Sequence, residues 1–314
     1  MDDRRAVAQT LYKTMGLTDA ALNDPDIAHL VINSNMVVAS HLVEGLVVEP
    51  AETQNGVRVT MRVLAGHIIQ KPVHLCFGML PEDGLQEIIM DVTIEEHASV
   101  SILAHCTFPN AKNITHKMEA VITIKEGASY SYLERHVHAA SGFITVLPHA
   151  IVTVEKNATF KTDFELLRGK AGIIDIDYET TCYEHSHLEM NAKVNGIQDD
   201  AITIRETGHL NGEGAVGVLT TRIAVRDTAQ ATVYNTLTAH AAYARGHVDC
   251  KEIIQDRATA KAIPVVEVYH PKAHVTHEAA IGSVDDKQLQ TLMARGLSED
   301  EAVDLIIQGL LSGS

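Results

Sequence analysis

VTIEEHASV, residues 92–100, returns as ITIKEGASY at 122–130 and as VTVEKNATF at 152–160, so one pattern restarts at even intervals. Each copy opens with two apolar residues around a threonine: Val92-Thr93-Ile94, Ile122-Thr123-Ile124 and Val152-Thr153-Val154. Alternation of period two marks a strand with one buried face. The polar triplets that follow are turns, and Gly127 and Asn157 tolerate the positive φ that tight turns demand. Ala98, Ala128 and Ala158 come next, small enough for a narrow interior corner, and a second strand follows, as in Ser99-Val100-Ser101-Ile102-Leu103.

A fixed period of this size carrying the strand alternation predicts a β-solenoid, a right-handed parallel β-helix with about one coil per repeat. Three chance strand–turn–strand units in an antiparallel sandwich are the alternative. The register degrades after 160 and returns as Ile223-Ala224-Val225 followed by Ala229, a separation that is not a whole number of periods. Coils of unequal length or an insertion must intervene. The ends differ from the middle, which predicts a mixed helical region over 1–60, a solenoid core over 61–283 and a helical region over 284–314. In the last of these, Ser298 and Glu301 have capping-box spacing, and Leu289, Leu292, Met293, Leu305, Ile306 and Leu310 form apolar stripes.

Composition agrees with an all-β core. Of 314 residues, 46% are hydrophobic but only 4% aromatic, with no Trp, so the interior must be built from aliphatic side chains that favour sheet. A net charge of −16 argues against nucleic acid and against anionic membranes, since both require a basic surface. The N-terminus MDDRRAVAQTLYKTMG has no apolar segment of signal-peptide length, and no stretch is long enough to span a bilayer. Together these predict a soluble cytoplasmic protein. Cys76, Cys106, Cys182 and Cys250 contain no CxxC pair, which suits free thiols in a reducing compartment.

Three constellations could carry chemistry. GEGAVG at 212–217 matches GxGxxG, but the strand-like VLTTRIAV follows it where a dinucleotide site needs a helix, so it is a glycine-rich turn. His136 and His138, and likewise His185 and His187, alternate along strands and could each chelate a metal, although surface histidines are the commoner outcome. His105 beside Cys106 is no chelate, because strand neighbours face opposite ways. In the third, Cys250 precedes the adjacent His277 and Glu278 by close to one coil length, which in a solenoid places them on adjoining coils. A thiol, an imidazole and a carboxylate then share one patch suited to iron or zinc. A buried Cys acting as apolar filler beside a His-Glu pair explains the spacing equally well.

The same segment carries a resemblance. HVDCKEII, then AIPVVEV, THEAAIG and DKQLQTLMARGLSEDEAVDLIIQGLL, in order over roughly 205–312, resemble the C-terminal signature of the SufB/SufD family, scaffolds of the SUF iron–sulfur cluster assembly machinery. CTFP, starting at Cys106, is similar to a CTAP-like element of SufB proteins. The resemblance implies a right-handed parallel β-helix, a SufC-like ABC-type ATPase docked on residues 284–312, and a nascent cluster formed where two such subunits pair. It implies that Cys250 holds persulfide sulfur or ligates iron, that His277 and Glu278 supply nitrogen and oxygen ligands, and that Cys106 receives sulfur before it passes inward. The cluster is then a transient cargo, taken from a sulfur donor and handed to apo-protein recipients. The chain is shorter at its N-terminus than typical SufB and combines Cys250 with the His277-Glu278 pair, which implies a short SufB-like subunit that forms a homodimer. Two other functions compete: a purely structural partner of the ATPase with Cys250 inert, and a carbohydrate-active β-helix protein. The absence of Trp and of a signal peptide counts against the second.

Overall fold

In the computed structural model, which describes residues 2–18 and 20–312, the chain winds into a parallel β-solenoid with helices at both ends. Asp19, in the stretch expected to cap short helices, lies outside the described residues. Helices α1 (Asp2–Thr14) and α2 (Ala20–Asn23) lead into β1 (His29–Asn33), β2 (Met36–His41), β3 (Leu46–Glu52), β4 (Gly56–Val63), β5 (Val73–Gly78) and β6 (Asp83–Ile94). The regular coils follow as β7 (Ser99–Phe108), β8 (Asn113–Ile124), β9 (Ser129–His138), β10 (Phe143–Val154), β11 (Thr159–Leu166), β12 (Ile173–Cys182) and β13 (His187–Gly196). They continue through β14 (Ala201–Leu210), β15 (Val216–Val225), β16 (Gln230–Ala239), β17 (Arg245–Ile254), β18 (Thr259–Val268) and β19 (His274–Gly282), before α3 (Asp286–Met293) and α4 (Glu299–Ser312). The boundary expected at residue 60 falls inside β4.

Successive strands alternate between two sheets. Odd-numbered strands from β19 down to β5, then β1 and β2, make one sheet of ten; even-numbered strands from β18 down to β4, then β3, make the other, of nine. Within each sheet the coils pair in parallel and in register, as in Phe143↔Asn113 through Val154↔Ile124. The pleat sends alternate side chains inward, so that along β8 every second residue is buried and those between are half-buried or exposed. The inward rows Ile94, Ile124 and Val154 thus stack into one continuous aliphatic core.

The corner explains the repeat. His97, Gly127 and Asn157 occupy the left-handed region, at φ of 59°, 67° and 56°. The next residue is Ala98, Ala128 or Ala158, each fully buried. Its carbonyl accepts from the N–H that opens the following coil's strand, for example Ser129 N–H to Ala98 O at 2.9 Å. A larger side chain there would meet the coils above and below. Later coils keep the plan with His185, Gly214 and Tyr243 at positive φ, followed by Ser186, Ala215 and Ala244.

The loss of register after 160 has a simple cause. Asn113 pairs with Phe143, which is the full period, whereas Ile173 pairs with Ala201 and Ala201 with Gln230. The later coils are shorter by one or two residues, and no insertion intervenes. The apparent fourth copy at 223–229 lies on β15 and the turn after it, in the other sheet and at the opposite corner from Val154 and Ala158. GEGAVG is the turn between β14 and β15, as expected.

At the C-terminus the capping box forms: Ser298 N–H and Oγ–H both donate to Glu301 Oε2 at 2.8 Å, and Glu301 N–H donates to Ser298 Oγ at 3.4 Å. Ile307 and Leu311 of α4 pack on Ala224 of β15, and Arg226 pairs with Asp304 at 2.8 Å, so the helical pair is fastened to the outside of the ten-stranded sheet. Among the described residues, no helix is long and apolar enough to cross a membrane.

Candidate functional site

Among the described residues, two clusters of ligating side chains stand out along the solenoid interior. The first grows from β7 and β9. Their register sets Cys106 opposite His136, and Glu134 shares the inner face two residues before His136. Cys106 Sγ lies 3.9 Å from Glu134 Oε1 and 3.7 Å from Nε2 of His116, which enters from β8 in the opposite sheet. His136 Nε2 is 2.6 Å from Glu134 Oε1. All four residues are buried. An outer ring orients them: Gln86 Oε1 sits 2.9 Å from His116 Nδ1, and His138 Nε2 sits 3.1 Å from His136 Nδ1. His138 in turn donates from Nδ1 to the Lys170 carbonyl at 2.8 Å.

Burial governs the protonation of this cluster. It drives the His116 and His138 imidazoles down to about 3, with neighbouring histidines adding to the effect, so both are neutral. It pushes the Cys106 thiol well above its ordinary range, and the Glu134 charge reinforces that. Burial would also raise the Glu134 carboxyl, but the hydrogen bond and charge of His136 outweigh it and hold Glu134 low.

The second cluster lies at the C-terminal end. Cys250 on β17 is fully buried, with Asn235 Nδ2 of the opposite sheet 3.6 Å from Sγ and 2.7 Å from Thr221 Oγ1. Burial, reinforced by Glu252, Glu206 and Asp249, pushes its thiol up to about 12. β19 runs beside β17 with Val248↔His277, Asp249↔Glu278 and Cys250↔Ala279 in register. The backbones of all three expected ligands therefore meet, but the pleat divides their side chains. His277 shares the inner face with Cys250. Glu278 shares the outer face with Asp249, which pairs with Arg222. β19 is the edge of its sheet and almost wholly exposed, so only the last coil separates Cys250 from the open end.

Cys106 and Cys250 stand five strand spacings apart along one sheet, about 24 Å at roughly 4.8 Å each. They are two sites, not one. Between them run buried polar groups: Thr162, Thr180, Glu206, Thr221 and Asn235. Glu206 is neutral, its carboxyl raised by burial to about 8. Sequence reasoning missed Glu134 and His116. It favoured surface or cross-strand histidines over a metal pair for His136 and His138, and both are interior. The signal was present: Glu134, His136 and His138 alternate along one strand, and His136 falls one full period after Cys106. His185 sits in a turn and His187 is exposed, so that pair forms no site. His105 points away from Cys106 and stacks on His74 at 6.0 Å, as alternation required.

The fold and these sites define a class: a rigid parallel solenoid that holds thiols beside nitrogen and oxygen ligands in its interior and at one open end. Residues 84–310 match the SUF system FeS cluster assembly SufBD core domain. An iron–sulfur cluster assembly SufBD family protein of Methanocaldococcus jannaschii is 34% identical over 282 residues, covering 90% of this chain and 89% of its own length. One from Pyrococcus horikoshii is 32% identical over 301 residues, covering 96% and 91%. A Staphylococcus aureus SufBD family protein shares 38% over 69 residues, 22% of this chain and 15% of that one. The chain belongs to the SufBD family of iron–sulfur cluster assembly proteins.

Proposed function

We propose that the chain is a non-catalytic cytoplasmic scaffold on which an iron–sulfur cluster is assembled transiently, together with a SufC-like ABC-type ATPase and a second copy of itself. The observation that carries this is the position of Cys250, one coil beneath an unpaired edge strand that bears His277 and Glu278. An unpaired edge offers a row of free N–H and C=O groups to another strand, and a twofold axis there would close the open end with a second copy. His277, on the inner face with Cys250, is the nitrogen ligand of this set, and Glu278 presents its oxygen on the outer face of the same edge strand. Iron is written here as cargo. Its binding to Sγ displaces the thiol proton that burial otherwise retains, and the mixed sulfur, nitrogen and oxygen set leaves a cluster that can be handed to apo-proteins.

The groove between α3 and α4 suits the ATPase. It is lined by Leu292, Leu305, Ile306 and Leu310, over a volume of about 700 Å³. A donor protein's persulfide would pass its outer sulfur to the Cys106 thiolate, and the donor would leave as a thiol. Four buried free thiols agree with a reducing compartment.

The test is anaerobic reconstitution of the complex, purified with its endogenous ATPase, using iron and sulfide. Thiolate-to-iron absorption should appear and be lost in Cys250→Ser. Unchanged absorption in that variant would leave the chain a structural partner of the ATPase with an inert thiol.

A further inference from the structure

We propose that Cys106, Glu134 and His136, with His116 as fourth donor, form a resident site for a divalent first-row metal ion of the zinc or ferrous type, sealed inside the solenoid and separate from the Cys250 end. Three lines of geometry carry it.

The ligand atoms converge. One ligand atom from each of Cys106, Glu134 and His136 lies within 4.8 Å of the other two. Nε2 of His116 approaches Sγ from the opposite sheet at 3.7 Å. Ligands at bonding distance around a tetrahedral ion stand roughly 3.3–3.6 Å apart. The two sulfur contacts are close to that range. The 2.6 Å between His136 and Glu134 is shorter, and a rotation of the carboxylate would open it.

The tautomers also point to a cation. The Lys170 carbonyl can only accept, so His138 carries its proton on Nδ1 and accepts at Nε2. His136 must then donate from Nδ1, which leaves its Nε2 facing a carboxylate oxygen. Two lone pairs cannot face each other at that distance; a cation has to lie between them, either a proton or a metal. His116 is arranged in the same way, with Nδ1 held by Gln86 and Nε2 directed at Cys106. Outer partners that fix the far nitrogen of an imidazole are the usual support of metal-bound histidine.

Finally, Glu134 Oε2 is buried and makes no hydrogen bond within 3.5 Å, although the Tyr132 hydroxyl nearby helps to hold the carboxyl low. An unpartnered buried carboxylate oxygen is costly, and bidentate ligation would satisfy it. A divalent ion with one thiolate, one carboxylate and two neutral imidazoles is neutral overall, which suits a dry interior. His136 borders a surface cleft, but all four side chains are almost wholly buried, so the ion would be taken up as the coils close.

The site does not rest on the scaffold proposal. Ion and incoming sulfur would compete for the same Sγ, so a loaded site should suppress labelling of Cys106 by a persulfide donor. The experiment uses the full chain in a Cys250→Ser background, so that cluster ligation at the far end contributes nothing. Metal analysis after prolonged dialysis against a chelator should find about one zinc or iron per chain. Refolding with cobalt(II) alone should give the visible bands of a tetrahedral ion and a near-ultraviolet thiolate-to-cobalt band. Adding Cys106→Ser should remove the near-ultraviolet band while the visible bands persist. A Cys250→Ser chain with native circular dichroism that holds no stoichiometric metal and binds no cobalt would overturn the proposal, and would assign the charge between His136 and Glu134 to a proton.

Discussion

Glu206 offers the sharpest test of how the interior is organised. It lies on β14 between Tyr178 and Asn235 in register, fully enclosed, with Oε2 unpartnered. Burial raises its carboxyl from 4.5 to about 8. Between those values the native state holds a proton that the unfolded chain has released. Stability therefore falls as pH rises through that window, by roughly 1.4 kcal/mol per pH unit, and is unaffected by this group below pH 4.5. At pH 7.5 the accumulated cost is about 4 kcal/mol. Glu206→Gln keeps the shape and removes the titration. Urea unfolding should show the variant nearly equal to wild type at pH 4.5 and up to ~4 kcal/mol more stable at pH 7.5, a midpoint shift of about 1.3 M for an m-value near 3 kcal/mol/M. If the two proteins keep the same difference at both pH values, Glu206 is not held neutral by burial, and the polar line through the core is wetter than described.

Two further predictions follow from the corners and the helical groove. Asn157 sits at φ 56° in the turn, so Asn157→Ala should lower thermal stability by about 1 kcal/mol while Asn157→Gly leaves it nearly unchanged; calorimetry distinguishes them, and equal losses would mean that the side chain, not the backbone, matters there. Leu305 is 46% exposed on the α3–α4 groove, so Leu305→Glu should leave the melting temperature unaltered and abolish co-purification of the ATPase; retained co-purification would move the docking surface elsewhere.

The solenoid was legible because its constraint is local and repeated. Each coil needs one residue able to take positive φ, one small residue behind it and an alternating strand, and all three fall within the single stretch VTIEEHASV. The Cys250 end was legible as a distance along the chain, since one turn of the solenoid brings residues a coil length apart into lateral proximity. The Cys106 cluster was not read, although its residues were in view. His136 and His138 look like ordinary polar strand residues, and only knowledge of which way the pleat turns in β9 makes them interior.

What the sequence determined by itself was the kind of object: a stack of parallel coils, closed by helices, with thiols spaced to meet ligands on neighbouring coils. The period and the alternation favour that over an antiparallel sandwich, because stacked coils bury the equivalent aliphatic positions of every repeat in one row. Facing was decided only in three dimensions. A one-residue step along a strand reverses the side on which a group lies, and coils of unequal length shift the phase from one turn to the next. For that reason the folded chain, and not the spacing, set Glu278 against Asp249, placed Glu134 and His136 against Cys106, and held the two cysteine sites five strands apart.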